Sequence, residues 1–152
     1  MEIADLVTPA SVIANLRAAN KRQALQELAK RGAALTGRHE RAIFEVLLER
    51  ERLNTTGIGN GTALPHGRLP DLPRLYGLFA RLERPIDFEA IDGKPTHLFF
   101  ALVAPENSAG IHLKALARIS RLFKNPSFRQ SILQAKSSEE IYQLIANEDS
   151  RA

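Results

Sequence analysis

The run Thr96-His97-Leu98-Phe99-Phe100-Ala101-Leu102-Val103 constrains the fold of this chain more than any other stretch. It is apolar without alternation and breaks at Ala104-Pro105-Glu106-Asn107-Ser108. That is the pattern of a central strand covered on both faces. A strand buried in this way needs helices above and below it. Arg74 to Leu82 alternates loosely and reads as a second strand. The link between the two is too short for a helical crossover, so they are expected to be antiparallel if adjacent. Pro85-Ile86-Asp87-Phe88 and Asp92-Gly93-Lys94 read as turns and a short edge.

The helices announce themselves by caps and periodicity. Asn20-Lys21-Arg22-Gln23 has capping-box spacing, and Leu25, Leu28 and Ala29 follow at helical intervals until Gly32, near which this helix should end. A second helix after Thr36-Gly37 carries Ile43, Phe44, Val46 and Leu47 and runs to about Arg52. A third carries Ile111, Leu113, Leu116, Ile119, Leu122 and Phe123 and stops at Asn125, which can cap a fourth beginning at Pro126 and reaching about Ala135. Ser137 and Glu140 form another capping box before Ile141, Leu144 and Ile145. The expectation is an α/β protein, a single layered domain whose mixed sheet is flanked by helices.

With 152 residues the chain suffices for one domain that buries roughly two-thirds of its unfolded surface. It has no cysteine, which removes disulfides, thiolate metal sites and cysteine nucleophiles. The start, Met1-Glu2-Ile3-Ala4-Asp5, lacks an apolar signal core, and no apolar run approaches the roughly 20 residues of a membrane span. A soluble, cytoplasmic protein that is not membrane-embedded is expected. The formal net charge of +4 fits either a solvated surface or affinity for phosphate, nucleic acid or an acidic partner. Acidic residues are scattered among the basic ones and no basic run interleaves with aromatics, so nucleic acid ranks last among these.

Chemistry concentrates in Thr55-Thr56-Gly57-Ile58-Gly59-Asn60-Gly61-Thr62-Ala63-Leu64-Pro65-His66-Gly67-Arg68. Pro65 fixes φ and biases Leu64 toward an extended shape. His66 is therefore expected at a defined place, at the end of a short extended segment. A positioned histidine amid open backbone N–H groups suits phosphoryl transfer to nitrogen. Nucleotide motifs fail here: Gly57-x-Gly59-x-Gly61 lacks the dinucleotide spacing, and Gly61-Thr62 does not end as a P-loop does. His39-Glu40 begins like a zinc-protease motif, but position 43, where the second histidine belongs, is Ile43. No metal site and no cofactor are expected.

Of the other histidines, His39 reads as solvent-facing and His97 as a strand-end residue. His112 lies on the first turn of the third helix. It shares a face with Leu116 and Ile119, the usual setting of a structural histidine. The macrodipole there disfavours the imidazolium, so it can also serve as a neutral donor to a phosphoryl group. Arg50 and Arg52, which flank Glu51, read either as favourable charge at a helix C-terminus or as an anion clamp.

Arg50 through Arg68 closely resembles the active-site segment of enzyme IIA domains of the bacterial phosphoenolpyruvate phosphotransferase system, in the mannitol/fructose structural class. Within that class, Thr56-Gly57-Ile58-Gly59-Asn60-Gly61 and Ala63-Leu64-Pro65-His66-Gly67 look most like the nitrogen-regulatory type. The similarity extends to residues 85–93, to the strand ending at Pro105 and to His112-Leu113. It covers roughly residues 1–148, which implies one IIA domain over 1–152 with a core at about 3–148. It also implies a mixed sheet sandwiched by helices. Thr62 stands where nitrogen-type proteins usually carry an aliphatic residue.

The resemblance implies that His66 accepts the phosphoryl group through Nε2 and that Arg50 and His112 stabilise it. Gly57, Gly59, Asn60 and Gly61 would form the active-site loop and offer backbone donors. The donor would be a phosphohistidine carrier similar to HPr or its nitrogen-branch relative. Transporters or sensor kinases would be the regulated targets. Three readings compete with this one: a IIA component that passes phosphate to a sugar-specific IIB domain, a binding module that is never phosphorylated, and, last, a nucleic-acid-binding domain.

Overall fold

The computed structural model of the protein describes residues 2–150, with side chains through Glu148, so the expected domain bounds of 1–152 reach beyond the described residues at both ends. After two short 3-10 turns the elements run β1 (Val12–Leu16), α1 (Lys21–Thr36), α2 (Glu40–Leu53), β2 (Gly57–Gly59), β3 (Thr62–Ala63), β4 (His66–Leu69), β5 (Tyr76–Ile86), β6 (Thr96–Pro105), α3 (Ala109–Lys124), α4 (Pro126–Gln134) and α5 (Ser138–Ser150). The sheet has the order β1-β5-β6-β3-β2, and β4 also pairs with β6. β1 is parallel to β5, β3 and β4 are parallel to β6, and the other pairs are antiparallel. The sheet is mixed, and the antiparallel β5–β6 pair is the one expected.

The apolar run of β6 has no alternation because both of its faces are covered. Leu98, Phe100, Leu102 and Ala104 enter one core with Phe79, Ile119, Phe123, Phe128, Ile132, Ile141 and Ile145. Phe99, Ala101 and Val103 enter the other with Leu25, Leu28, Ile43, Leu47 and Phe88. Thus α1 and α2 cover one face while α3, α4 and α5 cover the opposite one. Both layers follow from period-2 alternation along one strand.

The caps act much as their sequences predict. The Asn20 side chain accepts from the Gln23 N–H at 2.9 Å, and the Gln23 side chain reaches back to the Ala19 N–H, one residue short of a reciprocal box. This helix runs past Gly32 to Thr36 and stops at Gly37, whose φ of 72° needs no Cβ. The Asn125 side chain accepts from the N–H groups of Ser127 and Phe128, with Pro126 at the first helical position.

Three expectations need correction. β5 continues to Ile86, so Pro85-Ile86 belongs to the strand. Its register shifts between Arg81 and Ile86, where a proline without an N–H is tolerated. The glycine run is a β2–β3 hairpin whose turn residues, Asn60 and Gly61, have φ values of 58° and 76°, as a tight Asn-Gly turn demands. His66 opens β4 rather than ending an extended piece. The strand pauses at Leu64-Pro65 and resumes against Leu102 of β6.

Candidate active site

β4 is short, and its alternation decides what each residue meets. His66 and Arg68 pair with Leu102 and Ala104, so they face the α3 layer. Gly67 and Leu69 pair with Val103 and Pro105 and face α2. Among the described residues β2 pairs with β3 and stops short of β4, which leaves the outer edge of β4 open. α2 packs against β4, with Val46 on Gly67, and Arg50 extends from it to His66.

A hydrogen-bond chain fixes the ring of His66. Nδ1 lies 2.8 Å from the Leu64 carbonyl oxygen. A carbonyl only accepts, so Nδ1 carries the proton and the Nε2 lone pair is free for chemistry. The Arg50 Nε–H donates to that Nε2 at 3.2 Å. Nη1 of the same guanidinium donates to the Asn54 carbonyl at 3.1 Å and to Asn54 Oδ1 at 3.2 Å, which anchors it.

The ring of His112 stands edge-on to that of His66, with centroids 5.2 Å apart and planes at 82°. It lies in the first turn of α3, where its N–H bonds to the Ser108 carbonyl, and is 4% exposed. Arg68 Nε approaches His112 Nδ1 at 3.5 Å. Both histidines are held below the usual imidazole pKa. For His66 burial is the main cause; the Leu64 carbonyl opposes it, and Arg50 and Arg68 add to it. His112 is lowered to about 4, by burial first and then by His66 and Arg68. At neutral pH both rings are neutral, the state a nitrogen nucleophile requires.

Around them lies an open cleft of about 590 Å³ lined by Arg50, Leu53, His66, Arg68, His112 and Leu113 among others. Two guanidinium groups, an unprotonated imidazole nitrogen and a second neutral imidazole converge there, with Glu49 also in the lining. The arrangement can take up and stabilise a phosphoryl group with fixed donors alone.

His66, Arg50 and His112 are therefore together. The glycine run is elsewhere. Gly57, Gly59, Asn60 and Gly61 do not line the cleft. The Gly57 N–H is taken by the Thr55 hydroxyl and the Asn60 N–H by the Asp92 carboxylate, so the run packs against the loop between β5 and β6. In this structure the run is a hairpin whose Gly57 and Asn60 N–H groups are engaged within the fold. The hydroxyl of Thr62 donates to the Gly59 carbonyl at 2.8 Å, which explains how a polar residue sits there buried. His39 is the exposed N-cap residue of α2, and His97 is half-buried in β6 beside Gly61.

Sequence reasoning missed two residues. The alternation of His66-Gly67-Arg68 could have revealed Arg68 as a neighbour of His66. Glu51, named in the sequence only as the residue between Arg50 and Arg52, is turned inward beside exposed Arg52. Its carboxylate accepts the Thr56 N–H at 3.1 and 3.0 Å and the Thr56 hydroxyl, and pairs with Lys21 Nζ at 2.8 Å.

Residues 5–148 match the model of a family described as the phosphoenolpyruvate-dependent sugar phosphotransferase system, EIIA 2. The chain belongs to this family. It is thus a phosphotransferase component, a phosphocarrier. A nitrogen regulatory protein of Bradyrhizobium diazoefficiens is 51% identical over 146 residues, which span 96% of this chain and 95% of that protein. The crystal structure of nitrogen regulatory protein IIA-Ntr from Neisseria meningitidis superposes with a TM-score of 0.89 at 31% identity, covering 94% of this chain and 98% of that one. The IIA mannitol structure from Escherichia coli shares the fold, with a TM-score of 0.77 at 19% identity over 91% of this IIA chain and 98% of that one. The nitrogen-regulatory resemblance of the active-site segment is matched along nearly the whole IIA chain.

Proposed function

We propose that His66 is the phosphoryl acceptor of this IIA protein, that Arg50 and His112 stabilise the transferring group, and that a phosphohistidine carrier of the HPr or nitrogen-branch type is the donor. The carrying observation is the His66 ring itself: Nδ1–H on the Leu64 carbonyl, and Nε2 unprotonated at an open cleft. The Nε2 lone pair attacks phosphorus and the new N–P bond forms. The donor's N–P bond breaks, and its electron pair stays with the donor nitrogen. The Nδ1 proton need not leave, because the Leu64 carbonyl stabilises the charge that develops on the ring.

Arg50 masks Nε2 in the resting protein. As the phosphoryl group enters, this guanidinium exchanges a nitrogen acceptor for a phosphoryl oxygen, a better charge-matched partner. The charge of the loose transition state spreads over the peripheral oxygens, where fixed donors act. Leu53 and Leu113 line the same cleft and are 79% and 65% exposed, an apolar rim suited to a protein donor.

Phosphorylation adds negative charge to a cationic, partly apolar surface and so changes which partners can dock. This supports a regulatory role in the cytoplasm, with transporters or sensor kinases as targets. Among the described residues no helix is long and apolar enough to cross a membrane.

Intact-mass spectrometry tests this reading after incubation with phosphoenolpyruvate, enzyme I and a histidine carrier. One acid-labile phosphoryl group is expected on the wild type and none on His66→Ala. A wild type that stays unmodified while the carrier is phosphorylated, or a modified variant, overturns it.

A further inference from the structure

We infer that Arg68 is a positioning residue that acts through His112: it holds Nδ1 of that ring as an acceptor and so fixes the proton on Nε2. The inference rests on the reading of His66 as acceptor, and it adds a residue that the segment's resemblance did not assign a role.

Three observations carry it. First, the alternation of β4 puts Arg68 on the same face as His66, toward α3, where its Nε lies 3.5 Å from His112 Nδ1. A guanidinium has donors only, so the nitrogen facing it presents a lone pair. Second, a neutral imidazole with an unprotonated Nδ1 carries its proton on Nε2. Third, His112 Nε2 is buried, with no hydrogen-bond partner among the described residues. A buried N–H without an acceptor is costly, and the fold retains this one beside the phosphoryl site.

The T-shaped contact keeps the two rings adjacent while their proton assignments differ: Nδ1–H in His66, Nε2–H in His112. His66 is fixed by a carbonyl and His112 by a cation. With the opposite tautomer His112 would present its N–H to a guanidinium, donor against donor, and its Nε2 would be unprotonated. It would then have no proton to offer a phosphoryl oxygen. Arg68 thus determines that the buried imidazole meets the phosphoryl group as a donor. Its own exposed side chain need not touch the phosphorus for this.

The test uses the full chain with ¹⁵N-labelled histidine. Long-range ¹H–¹⁵N correlation reads the tautomer of each ring at neutral pH, with no phosphoryl donor present, so it stands apart from whether His66 is phosphorylated. The wild type should show His112 protonated at Nε2. Arg68→Met should give a mixture of tautomers at His112 with His66 unchanged, and should slow phosphoryl uptake about tenfold, the size of effect of a lost orienting partner. Arg68→Lys, which keeps a cationic donor, should restore most of both. In a His112→Gln background Arg68→Met should slow transfer little further, because both changes remove one coupled device. An unchanged His112 tautomer in Arg68→Met overturns the inference. So does an additive rate loss in the double variant, which would assign Arg68 to direct contact with the phosphoryl group.

Discussion

Val46 occupies the space where a side chain on Gly67 would begin. A Cβ at position 67 would lie 2.7 Å from Val46 Cγ2 and 3.2 Å from the Val46 backbone carbon. The absence of that methyl group lets α2 lie against β4. Arg50 is one helical turn beyond Val46, on the same side of α2, and its reach to His66 depends on this close approach. Gly67→Ala should push α2 outward, destabilise the fold by about 1–3 kcal/mol as overpacking does, and slow phosphorylation of His66 disproportionately. Urea unfolding and a mass-spectrometric time course on the same sample separate the two effects. A variant that loses stability but keeps wild-type transfer would detach the helix position from the chemistry.

Arg50 spans three acceptors at once, His66 Nε2 and the Asn54 backbone and side-chain oxygens. A lysine keeps the charge but lacks the fork. Arg50→Gln should lower the rate of phosphoryl uptake by about 10²–10³, the loss seen when a fixed donor at developing charge is removed. Arg50→Lys should fall between that variant and the wild type. Rapid-quench measurement with a saturating phosphorylated carrier gives the comparison; equal rates for lysine and arginine would show that charge alone suffices.

The two histidines also make stability depend on pH. Both folded-state pKa values lie below 6.5, that of His112 at about 4. As pH falls through 6.5 the unfolded chain takes up protons that the native protein refuses. The stability present above 6.5 is therefore progressively lost, and for His112 the loss levels off near pH 4. Thermal midpoints measured between pH 7.5 and 5 should decline, and His112→Gln should flatten part of that slope. A midpoint that rises as pH falls across this window would contradict the neutral state assigned to both rings.

The layers were legible because two signals agree in β6 and the helices. Continuous apolarity demands cover on both faces, and the caps at Asn20, Asn125 and Ser137 mark where the cover begins. The meeting of His66, Arg50 and His112 could be expected only through the resemblance of their segments, since nothing in their spacing brings positions 50, 66 and 112 together. Strand β1 gave no reading. Val-Ile-Ala-Asn-Leu is brief, and it takes its shape from its parallel neighbour β5, a long-range partner that no local pattern contains. The glycine run forms a hairpin that its sequence did not reveal. Its positive-φ residues build a hairpin turn, and an open-looking backbone in sequence is a committed one in the fold. Glu51 was obscured by its neighbours, because alternating charges near a helix end look solvated wherever the partner, here Lys21, is distant in sequence.

Glu51 yields the last prediction, because it is the one carboxylate among the buried polar residues described. It ties α1, through Lys21, and the turn at Thr56 to the end of α2 that bears Arg50. Its partners are a cation, a backbone N–H and a hydroxyl, and glutamine can replace only part of that set. Glu51→Gln leaves the Lys21 ammonium, which is 20% exposed, beside a neutral amide, with the exposed Glu89 carboxylate at 3.7 Å as its remaining acidic partner. Removing one member of a buried pair is far more damaging than the worth of the pair itself, so the expected loss is roughly 3 kcal/mol. Glu51→Gln combined with Lys21→Met removes both charges and should recover part of it. Because Glu51 fixes the end of α2 next to Arg50, the single variant should also loosen the Arg50–His66 contact and slow phosphoryl uptake. Urea denaturation of the two variants decides the matter: if the double change is no more stable than the single one, the charge pair is not what binds α1 to the active-site helix.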